Sequence, residues 1–368
     1  MACPGPPKKL KGPLLITSWR ATRACNLNCV YCNVNANMKP APDELDTKDG
    51  LRLVDQIYDF GSQWFGLKGG EPLLRKDIFE LIAYAKSLGL DVCLLSNGYF
   101  VKGKIYDNLV KNEVFTSISI DGSEKTNDIL RGKGSYKAAL SAIQKLSKAG
   151  ILNGLSMAIT TVNYKEVDHI VALAEEHGAK FVWFNHLVPA GRAKDNIHLE
   201  PSPKQYEWAL NHIYDLTQEH YEKKFKFHVH CPFYARIFKE RDPKNFWEWY
   251  NHEFAGKCIY FLFGGYISVL ENGDVIPQFY SVDLKIGNIK EKTVKELWDE
   301  VQKSDFYTRL RDPNNLKGKC GVCEYRKICG GCRTRAYAYT GDYFESDPAC
   351  IYMPKSLRRK STPSGERN

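Results

Sequence analysis

A chain of 368 residues, 43% of them apolar, can bury a large core and is long enough for a barrel plus an appendage. The net charge of +9 sits mostly in the tails: Lys8, Lys9 and Lys11 at one end and Lys355, Arg358, Arg359, Lys360 and Arg367 against Glu366 at the other leave only +2 for the body. Basic tails are ordinarily solvated ends, so no nucleic-acid partner is expected. No apolar run reaches about eighteen residues and Met1 to Leu10 lacks the core of a secretion signal, so the expectation is a cytoplasmic protein without a membrane partner. Twelve cysteines in such a chain point to metal rather than disulfides.

Short apolar or β-branched runs alternate with segments of helical period from Leu14 to His186. The runs predict strands at Leu14-Trp19, Trp64-Lys68, Asp91-Leu95, Phe115-Ile120, Gly154-Thr160 and Phe181-His186, with helices beginning near Thr47, Asp77, Lys102, Ser135 and Tyr164. Six strand-helix units with right-handed crossovers predict an α/β fold, a partial (β/α)6 barrel whose strand-following loops share one rim. Residues 191–256 read as a bridging region with a helix over Pro203-Tyr221. Beyond it come a hairpin, Gly265-Leu270 and Val275-Phe279 turned by Asn272-Gly273, and a helix at Val294-Lys303. The predicted division is a basic tail at 1–13, the barrel at 14–190, the bridge at 191–256, a cysteine-rich domain at 257–353, and a disordered basic tail at 354–368.

Unusual residues should gather after the strands, and they do. After the first strand, Arg23 to Asn33 places Cys25, Cys29 and Cys32 in a CxxxCxxC run. Three thiolates hold a small metal centre with a position to spare, whereas a closed zinc site wants four ligands. A zinc knuckle is the competing reading. Gly69-Gly70-Glu71-Pro72 follows the second strand, with glycines that permit close backbone approach and a carboxylate suited to an ammonium group. Ser96-Asn97-Gly98 follows the third, and Ser119-Ile120-Asp121-Gly122 ends the fourth. These groups suit a ribose and a carboxylate, and equally suit helix capping and turns.

The cysteine loop, with Tyr31 before its last cysteine, resembles the signature of the radical S-adenosylmethionine (SAM) superfamily. The resemblance implies a [4Fe-4S] cluster on Cys25, Cys29 and Cys32 whose fourth iron binds SAM. It also implies SAM contacts from Gly69, Gly70, Glu71, Ser96, Asn97, Ser119 and Asp121. Arg131 matches an arginine that would pair the SAM carboxylate, a surface salt bridge being the alternative. His186 and Arg192, after the sixth strand, are candidates for substrate contact. His228 and His230 alternate before Cys231 and read as substrate or metal contacts or as satisfied structural histidines. Cys93, inside the third strand, reads as a small core residue.

Cys320-Gly-Val-Cys323, Cys329-Gly-Gly-Cys332 and Cys350, with Cys258 upstream, also suit structural zinc. Behind the first motif they resemble the SPASM extension, which carries auxiliary iron-sulfur clusters. By that resemblance Cys320, Cys323, Cys329 and Cys350 complete one cluster, while Cys258 and Cys332 belong to a second. Gln278 stands where relatives place a further cysteine, so the second cluster is absent or recruits Cys231. The segment also resembles the branch of heme-biosynthetic decarboxylases and heme d1 maturases, and the whole chain is similar to a protein that modifies the tungsten-pterin cofactor of aldehyde ferredoxin oxidoreductase. The expectation is therefore maturation of an enzyme prosthetic group, with the tungsten-pterin cofactor favoured over tetrapyrrole propionate decarboxylation. Peptide modification and a non-catalytic iron-sulfur or zinc protein are the remaining alternatives. The expected partners are reduced ferredoxin or a similar electron donor, and a small-molecule cofactor or cofactor-bearing enzyme as substrate.

Overall fold

The structure, a computed structural model, describes residues 16–62, 64–220, 225–252, 266–277 and 283–358. Six strands, β1 (Ile16–Arg20), β2 (Trp64–Lys68), β3 (Asp91–Ser96), β4 (Phe115–Ser119), β5 (Leu152–Ile159) and β6 (Phe181–His186), lie side by side in chain order, each parallel to the next. The helices α1 (Thr47–Asp59), α2 (Ile78–Ser87), α3 (Gly103–Lys111), α4 (Glu124–Arg131), α5 (Ser135–Lys148) and α6 (Val167–Glu176) make the crossovers. Helix α4 is additional to the predicted set; it is only eight residues long, with two large apolar side chains, Ile129 and Leu130.

Each strand presents alternate side chains to two environments. Phe65, Leu67, Val92 and Leu94 are buried in one apolar cluster with Leu53, Ile57 and Leu81 of the helices. Gly66, Lys68, Cys93 and Leu95 occupy the opposite, half-buried face. Cys93 is thus on that face and not in the helix-packed core.

Beyond β6 come α7 (Pro203–Glu219), β7 (Lys226–Val229), α8 (Tyr234–Arg241), α9 (Phe246–His252), β8 (Tyr266–Val269), β9 (Asp274–Ile276), β10 (Gly287–Asn288), α10 (Val294–Lys303), α11 (Asp305–Arg311), α12 (Gly318–Gly321) and α13 (Arg333–Thr340). Helix α7 starts sharply because Ser202 and Gln205 form a capping box around Pro203, and Thr293 with Glu296 does the same for α10.

Two strands enlarge the six-unit barrel. Strand β7 pairs parallel with β6, inside the predicted bridge, and β8 pairs parallel with β1 on the other side. The described strands form one sheet in the order β10-β9-β8-β1-β2-β3-β4-β5-β6-β7, which does not close. The predicted hairpin exists as β8 and β9, and β8 joins it to the barrel sheet through β1. Residues 1–13 and most of the predicted C-terminal tail, with Cys258 and Gln278, lie outside the described residues.

Candidate functional site

The cysteine loop leaves β1 and is pinned by backbone bonds, one of them within the loop. Cys25 N–H donates to Asn37 O at 2.7 Å, Val30 N–H to Leu130 O at 3.0 Å, and Cys32 N–H to Cys29 O at 3.2 Å. Cys25 is buried, whereas Cys29 and Cys32 are half-buried. Burial pushes the Cys25 thiol up to about 11, and it raises Cys29 as well. Two N–H groups point at the Cys25 sulfur: Leu27 N at 3.4 Å and Asn97 Nδ2 at 3.8 Å. Hydrogen bonds of this kind tune cluster sulfurs.

The glycines of the second loop act on protein before they act on any ligand. A Cβ on Gly69 would lie 2.4 Å from Thr22 O, and one on Gly70 would lie 2.2 Å from Ala24 O. Gly70 N–H donates to Thr22 O at 2.8 Å and Glu71 N–H to Ala24 O at 2.7 Å, so this loop clasps the start of the cysteine loop. The Glu71 side chain is fully buried and already engaged. It accepts from Asn97 N–H at 2.8 Å, from Ser96 Oγ at 3.0 and 3.1 Å, and from Leu73 N–H at 3.2 Å. Glu71 is the post that sets Ser96 and Asn97, and burial lifts it to about 7. Asn97 in turn donates to Asn26 Oδ1 at 2.8 Å. Three strand ends are thereby locked around Cys25.

Asp121 is engaged in the same way. It is buried, with Oδ1 accepting from Ala158 N–H at 2.8 Å and Oδ2 accepting from Arg131 Nε at 2.6 Å and from the Tyr31 hydroxyl. Arg131 therefore pairs with Asp121 in a mostly buried bridge and not in a surface one. Its guanidinium also lies 5.7 Å from the Tyr31 ring centroid. Ser119 ends β4 half-buried beside Ser156 of β5. Tyr31, read only as a motif residue, is a structural partner of Asp121, and its position inside the motif was the signal.

After β6, Gly191 and Arg192 turn back onto the cysteine loop. Arg192 N–H donates to Cys32 O at 2.9 Å, its Nε to Cys29 O at 3.0 Å and its Nη1 to Ala36 O at 2.6 Å. These contacts fasten Arg192 to the cysteine loop. His186 leaves the rim: its Nε2 is 3.2 Å from Cys332 Sγ and its Nδ1 meets the His230 carbonyl. His230 Nδ1 bonds Asn185 Oδ1 at 2.8 Å, and His228 packs edge-on to Phe181. Burial drives His228 down to about 3 and His230 down to about 4.

The C-terminal cysteines form a second gathering. Cys320 and Cys350 are within electrostatic reach of Cys329, and Cys320 within reach of Cys323. Arg333, buried, donates to Cys320 Sγ at 3.8 Å and to the Tyr343 and Glu345 carbonyls at 3.0 and 2.7 Å. Cys231 and Cys332 are fully buried beside this set, and Cys332 N–H donates to Asp347 Oδ2 at 2.8 Å. Among the described residues no three His, Cys, Asp or Glu side chains converge on one metal ion. A cube offers each thiolate its own iron, so its ligands ring a space and need not meet that geometry. The donor chemistry of both gatherings fits such clusters: grouped thiols, N–H groups aimed at sulfur, and no disulfide among the described cysteines.

The comparisons agree with this geometry. The model of the Radical SAM superfamily matches residues 19–174, and that of the SPASM iron-sulfur cluster-binding domain matches residues 258–333. An AdoMet-dependent heme synthase of Methanosarcina barkeri is 36% identical over 349 residues, 93% of this chain and 97% of that protein. A pre-heme d1 synthase of Dinoroseobacter shibae is 31% identical, covering 94% of this chain and 89% of that one. Streptococcus suis SuiB bound to S-adenosylmethionine shares the fold at a TM-score of 0.71 and 18% identity, over 92% of this chain and 77% of that one. The chain belongs to the radical SAM superfamily. It is an enzyme with a [4Fe-4S] cluster and SAM in the barrel, auxiliary iron-sulfur chemistry in the SPASM segment, and a need for an external reductant. Among the described residues, no helix is long and apolar enough to cross a membrane.

Proposed function

We propose that the enzyme decarboxylates a propionate side chain of a tetrapyrrole during heme formation. What supports this reading is the 36% identity to a heme synthase along nearly its whole length. A second relative, named for pre-heme d1 synthesis, points to the same substrate class. The tungsten-pterin reading, favoured by overall look of the sequence, has no counterpart among these relatives. Peptide modification draws on likeness of fold to structures holding peptides, SuiB bound to the precursor peptide SuiA at 17% identity and anSMEcpe with the Cp18Cys peptide at 18%.

Cys25, Cys29 and Cys32 would hold the SAM-binding cluster, and Cys320, Cys323, Cys329 and Cys350 an auxiliary one. Reduced cluster and SAM together supply a 5'-deoxyadenosyl radical, which is the cofactor's chemistry and not the protein's. The chain's own residues fix its geometry. Glu71 sets Ser96 and Asn97 against Cys25, Asp121 sets Tyr31 and Arg131, and Arg192 fastens the loop carbonyls. On the substrate, one hydrogen atom leaves the carbon β to the carboxylate. Carbon dioxide and one electron follow, and a vinyl group remains. An auxiliary cluster on Cys320, Cys323, Cys329 and Cys350 would supply the one-electron acceptor that this balance requires. Reduced ferredoxin or a similar donor fits the demand for low-potential electrons.

The test is anaerobic incubation of the reconstituted chain with SAM, dithionite and an iron porphyrin bearing propionates. Release of carbon dioxide matched by deoxyadenosine supports the proposal. Deoxyadenosine without any change in the porphyrin overturns the substrate assignment and leaves the enzyme class standing.

A further inference from the structure

We propose that Arg192 holds the anion that seats on the cysteine loop, through a guanidinium nitrogen that has no partner among the described residues. A guanidinium has five N–H donors in a rigid fork. Here Nε donates to Cys29 O at 3.0 Å, and Nη1 donates to Ala36 O at 2.6 Å and Asn35 Oδ1 at 3.3 Å. The remaining nitrogen, Nη2, is buried and makes no hydrogen bond among the described residues. A buried cationic N–H group without an acceptor is costly, so its place in a fixed turn calls for a ligand that completes it.

The turn is not free to carry the side chain elsewhere. Gly191 has φ +54°, and a Cβ on it would lie 2.5 Å from Cys32 O. Arg192 N–H holds that same carbonyl at 2.9 Å, and Asn196 Nδ2 donates to Val30 O at 3.0 Å. The turn and the cysteine loop are therefore one rigid piece. Two arginines act electrostatically on Cys29, and they differ in what they have left to give. Arg131 spends its Nε on the Asp121 carboxylate, which neutralises it within the protein. The partners of Arg192 are carbonyl and amide oxygens, which leave its charge unmatched.

Two anions meet at this loop in the bound state: the sulfurs of the cluster and the carboxylate of SAM. Either offers the charge-assisted acceptor that Nη2 requires. The Arg192→Gln and Arg192→Lys chains, reconstituted full length, distinguish them. The readouts are iron content, the reduction potential of the loop cluster followed by EPR without SAM, and the dissociation constant of labelled SAM. At equal iron, the Gln chain is expected to show either a lowered potential, which assigns the contact to the cluster, or SAM binding weakened by about tenfold, which assigns it to the carboxylate. The Lys chain, which keeps the charge but not the fork, should fall between Gln and wild type. A Gln chain that loses iron while its loaded fraction keeps wild-type potential and SAM affinity would reduce Arg192 to a clamp and overturn the proposal. If the Gln chain holds no cluster, the Lys chain decides: a shifted potential or weakened SAM binding at full iron sustains the proposal, and wild-type values overturn it.

Discussion

The two sulfur-rich regions are built in opposite ways. Cys25, Cys29 and Cys32 share one short loop, held by backbone carbonyls and glycine contacts from the loops after β2 and β6, and its neighbouring charges Asp121 and Arg131 cancel. Cys320, Cys323, Cys329 and Cys350 come from a longer stretch, and side chains order it. Arg333 reaches Cys320, Lys319 meets the Cys350 carbonyl, and Arg335 pairs with the buried Asp347. Both arrangements bury one cysteine, Cys25 in the first and Cys329 in the second, and leave the others half-buried. They differ in the side-chain donor that reaches a sulfur: the neutral Asn97 amide at Cys25 and the cationic Arg333 at Cys320.

The largest expected effect separates the two regions outright. Replacing Cys25, Cys29 and Cys32 together by Ala should abolish SAM cleavage while leaving the iron of the C-terminal centre in place, as iron and sulfide analysis would show. Asp121→Asn comes next, because it leaves Arg131 as a buried charge without its carboxylate. A loss of about 3 kcal/mol is expected in anaerobic denaturant unfolding. Gly70→Ala should displace the cysteine loop, since its methyl group would meet the Ala24 carbonyl at 2.2 Å. Iron at the loop centre should fall while the C-terminal centre keeps its own, and equal loading of both would contradict the contrast. Arg333→Gln removes a donor from Cys320 and should lower the potential of the C-terminal cluster only, measured by spectroelectrochemistry.

The smallest effect concerns pH. His228 is held neutral down to about 3 when folded but takes a proton near 6.5 when unfolded, so acid favours the unfolded chain. Stability should fall as pH drops from about 6.5 toward about 3, by at most about 1.4 kcal/mol per pH unit from this group. The slope should flatten in His228→Gln.

Local patterns made the barrel legible. Alternation along β2 and β3 and the cysteine spacing are written in consecutive residues, so the six strands and the loop motif could be read from them. Strand β8 pairs with β1 across some two hundred and fifty residues, as the Ser18 to Ser268 hydroxyl contact shows, and no local pattern encodes such a partner. Strand β7 is four residues with two charged or imidazole side chains, too short to stand out. At the site, residue identity told which positions mattered but not what they touch. Glu71 and Asp121 look like ligand-facing carboxylates in sequence. In the fold their oxygens are taken by Ser96, Asn97, Ala158 and Arg131. Arg192 carried no motif, and its role depends on a turn whose geometry exists only once β6 and the cysteine loop are packed together.

The most direct measurement quantifies 5'-deoxyadenosine formed from SAM by the anaerobically reconstituted, dithionite-reduced chain, beside a chain lacking Cys320 and Cys323. Deoxyadenosine from both, with none from the triple loop variant, is the predicted result. No product from the intact chain, or equal product when Cys25, Cys29 and Cys32 are gone, would contradict the assignment of the open iron site to that loop.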